Sequence, residues 1–143
     1  MGGPGKAPGS RPKGPGRSIR QHLRTGTGNT RDMESKGTGD GREICVILST
    51  VTPDRSAALA RSLLEKRLVA CINILPVRSL YRWKGECCND EEHLLVMKTR
   101  RDLVDAAIPA IRAEHPYEVP EIIVLPVTAG HLPYLDWVYG ETR

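Results

Sequence analysis

No apolar run in this 143-residue chain approaches the roughly 20 residues that a membrane-crossing helix requires. No run of seven or more apolar residues precedes Ile44, so no secretory leader is expected. Glycine-rich phosphate loops of the Walker or dinucleotide type are missing. So are the H-E-x-x-H signature and any Ser-His-Asp order of a hydrolase, which argues against an enzyme and against a required cofactor. The four cysteines, Cys45, Cys71, Cys87 and Cys88, show no C-x-x-C spacing. That usage suits a reducing, cytoplasmic setting.

What is present divides sharply. Residues 1–42 are rich in Gly, Pro and Arg and are expected to be a disordered, solvated tail. They hold nine Lys/Arg against three Asp/Glu, leaving twelve against fourteen for residues 43–143. The formal +4 of the chain is therefore a basic tail on a slightly acidic domain. A domain without basic excess is a poor match for phosphate backbones, so neither nucleic acid nor membrane is expected as a partner. The tail's glycines and prolines discourage the amphipathic helix of a transit peptide, and Lys6 stands where a myristoylation signal needs Ser or Thr. Met33 is a plainer candidate for the start of translation.

From Ile44 the pattern becomes that of a folded α+β domain. Ile44 to Ser49 is a continuous apolar run, predicted to be a central strand. Thr52-Pro53-Asp54 reads as a helix start, and the helix is expected to reach about Arg67 with Ala57, Ala60, Leu63, Leu64 and Leu68 inward. Val69–Val77 is expected to be a strand interrupted at Pro76, with extended chain resuming from Ser79 to Trp83. Cys87–Glu92 reads as a polar connection and His93–Thr99 as the third strand. A helix over about Asp102–Glu114 must start late or bend at Pro109. A residue before proline avoids helical angles, so His115 ends that helix and Val119 is extended. A fourth strand over Glu121–Val127 and a short helix over Leu132–Tyr139 follow. The order strand, helix, strand, strand, helix, strand with right-handed crossovers is the ferredoxin-like βαββαβ sandwich. Its antiparallel sheet would hold the first and third strands centrally. An exposed aromatic arm as long as Ser79–Trp83 is a pairing hazard unless another copy covers it, so an oligomer is expected.

Several separated motifs then converge: Thr50-Val51-Thr52-Pro53, Ala70-Cys71-Ile72-Asn73-Ile74, Tyr81-Arg82-Trp83-Lys84-Gly85, Lys98-Thr99, His115-Pro116-Tyr117-Glu118-Val119-Pro120-Glu121 and Tyr134-Leu135-Asp136-Trp137. Together they resemble the CutA divalent-cation tolerance proteins over about residues 44–142. The resemblance implies a ferredoxin-like homotrimer organised like the PII signalling proteins, and a part in the response to metal ions, copper above all. It carries metal-ligand roles onto Cys71 and His115, with Glu118 beside the latter; thiolate and imidazole suit copper and zinc. Cys87-Cys88 and His93 depart from the family pattern and form a second set of candidate donors, for which a solvated acidic turn is the plainer account. Asn73, Tyr81, Trp83, Lys98, Tyr117, Glu121 and Trp137 are candidates for an intersubunit cleft that binds a small effector or a partner protein, the alternative function. Interface aromatics are more often packing than recognition.

Overall fold

The computed structural model describes residues 42–143. The tail over 1–42, Arg42 apart, and the start at Met33 lie outside the described residues. Strand β1 (Ile44–Val51) leads into helix α1 (Pro53–Glu65), then strands β2 (Cys71–Trp83) and β3 (Glu86–Arg100). A 3-10 turn (Arg101–Leu103) opens helix α2 (Val104–Glu114), followed by strand β4 (Ile122–Pro126) and helix α3 (Leu132–Glu141). The sheet is antiparallel in the order β2-β3-β1-β4. The α+β ferredoxin-like expectation holds, with the two proline-bearing strands outermost.

Alternation along the strands builds two layers. Cys45, Ile47, Val51, Leu95 and Met97 face α1 and α2, whose Leu59, Leu63, Ala107 and Ile111 close the main core. On the other face α3 covers one end only, burying Ile44 beneath Leu135 and Val138. Arg42 is drawn onto this helix: its guanidinium pairs with Asp136 at 3.0 Å and lies 5.1 Å from the Tyr139 ring, which Arg100 approaches at 4.0 Å.

Helix α1 stops earlier than expected. Arg67 takes a left-handed φ of 57°, and the Arg67 and Leu68 amides donate to the Leu64 and Leu63 carbonyls, the double bond of a Schellman stop. The buried stripe is Ser56, Leu59, Ala60 and Leu63; Ala57 and Leu64 point outward, one helical step from the predicted face. Helix α2 accommodates Pro109 internally, at an exposed position, and gains its first turn from the 3-10 segment.

The largest correction concerns the hairpin. β2 passes through Pro76 without interruption, because on an outer strand the missing amide need not face the neighbouring strand. Cys87–Glu92 is not a connection but part of β3. The turn is Lys84-Gly85, at φ 48° and 79°, a two-residue type I′ geometry whose twist matches the strands. Thirteen consecutive pairs run from Cys71↔Lys98 to Trp83↔Glu86. β1 pairs with β3 only as far as His93, so the hairpin runs on beyond the sheet as a free-standing arm.

Candidate functional site

The joint between α2 and β4 is built around His115. Pro116 forces His115 to an extended ψ of 133°, ending the helix and turning the imidazole inward, where it is only 8% exposed. Its Nδ1 accepts the Tyr117 amide proton at 3.1 Å, and an acceptor nitrogen carries no proton. The proton therefore sits on Nε2, which donates to the Thr50 carbonyl at 2.8 Å, at the end of β1. The Tyr117 ring packs at 4.7 Å from the imidazole, and its hydroxyl donates to Glu92 Oε2 at 2.7 Å.

Glu92 is a residue that sequence reasoning missed. It is a carboxylate with 1% exposure, set on β3 one position beyond the last pair with β1. The available signal was parity: once β3 starts at Glu86, Glu92 shares a face with Leu94 and Val96 rather than lying in a solvated turn. Glu118 and Glu121, by contrast, are exposed.

Cys71 lies elsewhere. Half-buried at the start of β2, it stands directly across from Lys98 on the sheet face away from α1 and α2. Lys98 Nζ donates to Asn73 Oδ1 on the same face. Tyr134 reaches this group from α3; burial raises its phenol pKa, and the neighbouring Cys71 sulfur adds to the rise, electrostatically and through a hydrogen bond. Tyr134 stacks on Trp137 at 5.7 Å, and both rings are largely exposed.

Register separates the two groups. The row Cys71–Lys98–Val46 crosses β1 four residues before Thr50, to which His115 is tied. That spacing is about 13 Å along the strands and about 10 Å across them. The structure does not bring Cys71 within reach of His115 or of its neighbour Glu118 in one copy of the chain.

The hairpin candidates disperse as well. Neighbouring residues on a strand project to opposite faces, so exposed Cys87 and buried Cys88 point apart. His93 shares Cys87's face but stands six residues on, about 20 Å along the strand. His93 bonds instead to Ser56 on α1, Nδ1 to Oγ at 2.7 Å. The Ser56 hydroxyl donates to the Pro53 carbonyl, so His93 is the donor and this is not an activated serine. Farther out, Tyr81 donates to Asp90, and the buried Trp83 Nε1 finds no acceptor among the described residues. No group of three or more His, Cys, Asp or Glu that fits a metal occurs among the described residues.

Fold and site together define a PII-like α+β protein with an overlong hairpin and a polar clamp at its base. The solved structure of the PII-like protein CutA from Nostoc sp. superposes with a TM-score of 0.67 at 39% identity, covering 69% of this chain and 97% of that one. The family model for the CutA1 divalent ion tolerance protein matches residues 44–141, and the chain belongs to that family. The divalent-cation tolerance protein CutA of Thermus thermophilus is 43% identical over 99 residues, 68% of this chain and 96% of its own length. The chloroplastic protein CutA 1 of rice, Oryza sativa, is 41% identical over 101 residues, 68% of this chain and 57% of its own. The chain spans about half the length of the plant and mammalian relatives it matches. No helix among the described residues is long and apolar enough to cross a membrane.

Proposed function

We propose that the protein acts as a homotrimer in tolerance of divalent cations, copper foremost, and takes part in the response to metal ions. The observation that carries this reading is the family match over residues 44–141. Assembly is supported by the hairpin arm. Leu80 on it is 73% exposed, Ile74 and Leu75 are exposed beside it, and β4 exposes Ile123 and Leu125 at the other edge. Long apolar outer strands invite pairing with another copy. The buried indole N–H of Trp83, without an acceptor among the described residues, fits an acceptor supplied by a neighbour. The ion is proposed to meet Cys71 with donors such as Glu118 from a second copy, since one copy does not gather them. Four free thiols support action in a reducing compartment such as the cytosol.

Growth on copper of a sensitive strain lacking its own family member tests the proposal. Rescue by the wild-type chain is expected, and no rescue by Cys71→Ser. Failure of the wild type would overturn the tolerance role; full rescue by Cys71→Ser would overturn direct ligation.

A second reading, an effector-binding module of PII type, is favoured by one feature. Cys71, Asn73, Lys98 and Tyr134 place a cation, an amide and a phenol together beside the stacked Tyr134–Trp137 pair. Absence of any thermal shift across a panel of small anionic metabolites would remove it.

A further inference from the structure

We infer that His115 is a positioning residue and not a metal ligand, a disagreement with the role that the family resemblance carries onto it. An imidazole binds a metal through a nitrogen lone pair. His115 has two nitrogens and both are committed. Nδ1 spends its lone pair on the Tyr117 amide, and Nε2 carries the proton given to Thr50 O. Coordination at Nε2 would break the bond to β1 and move the proton to Nδ1, where it would face another N–H. Coordination at Nδ1 would strip the Tyr117 amide of its acceptor. Both groups are buried, so each loss would leave an unmet polar atom out of water. Within one copy Cys71 does not compensate, because it stands at the far end of the sheet.

What His115 does instead follows from the same bonds. Through Thr50 it fixes the joint to the end of β1, and through the amide and ring of Tyr117 it aims the phenol at Glu92. Glu92 lies where the hairpin leaves the sheet. The chain Thr50–His115–Tyr117–Glu92 therefore ties the free arm to the central strand, setting the direction in which the arm projects.

The test uses the unaltered full-length chain. A two-bond proton–nitrogen NMR spectrum is expected to show His115 protonated at Nε2, with both nitrogen shifts unmoved by excess zinc chloride. Movement of either His115 nitrogen to a metal-bound shift would overturn the inference. A double-mutant cycle tests the positioning role. Tyr117→Phe deletes the bond to Glu92, whereas His115→Asn deletes the bond to Thr50 but leaves an oxygen for the Tyr117 amide. Each is expected to lower the folding equilibrium constant about tenfold, and the pair clearly less than a hundredfold because the bonds share one joint. A fully multiplicative pair would overturn the coupling; if a variant does not fold, the zinc titration still decides. Copper growth is not a readout here, so a failed rescue strikes the functional proposal alone.

Discussion

Cys45 illustrates how much a single buried group constrains the conditions under which the fold survives. Its thiol is fully buried in the main core, and burial pushes its pKa from 9.0 up to about 11. A folded-state value above the unfolded one means that the fold prefers the protonated thiol. That contribution is intact below pH 9 and is lost as pH rises from about 9 to about 11. The slope is about 1.4 kcal/mol per pH unit while only the unfolded chain ionises. Denaturant midpoints are expected to fall between pH 8 and pH 10.5. A Cys45→Ala variant, though less stable at neutral pH, should lack this part of the fall. Mass spectrometry after brief alkylation at pH 8 should find label on exposed Cys87 well before Cys45.

At the scale of elements, the hairpin turn and the last helix offer opposite tests of glycine. Gly85 sits at φ 79°, where a side chain is strained whatever room surrounds it, so Gly85→Ala should destabilise by about 1 kcal/mol. Gly140 lies in α3 with open space where a Cβ would point, so Gly140→Ala should stabilise by about 0.5–1 kcal/mol. Urea unfolding of the two variants reads both. Element order and sheet order were legible in the sequence because apolar periodicity and the helix starts are local signals. The hairpin was not, for a physical reason. Glu86 to Glu92 is too polar to look like a strand, and it holds extended geometry through pairing with β2, a partner that periodicity does not reveal. The site was legible as motifs but not as contacts. His115 and Cys71 stand out by residue type, yet their separation depends on register, and Glu92 becomes visible only once the strand containing it is known.

For the whole molecule, the proposed trimer gives a mass expectation. Light scattering should report about three times the 15.8 kDa of the chain. Leu80→Glu should shift the population towards single copies by placing a charge on the most exposed apolar position of the arm. A mass of one copy for the wild type would overturn the assembly. The arm also bears on how this architecture can change over time. Its thirteen pairs form an unbroken ladder closed by a two-residue turn, so residues added to or removed from the tip in matched pairs leave every pair at the base as it was. Each such step alters the reach by about 3.4 Å. A single unmatched residue lower down would instead turn one side of the ladder over, carrying Glu92 away from Tyr117. Length at the tip is thus a freely adjustable quantity, whereas insertion near the clamp is forbidden, and natural variation in arm length should concentrate around Lys84-Gly85.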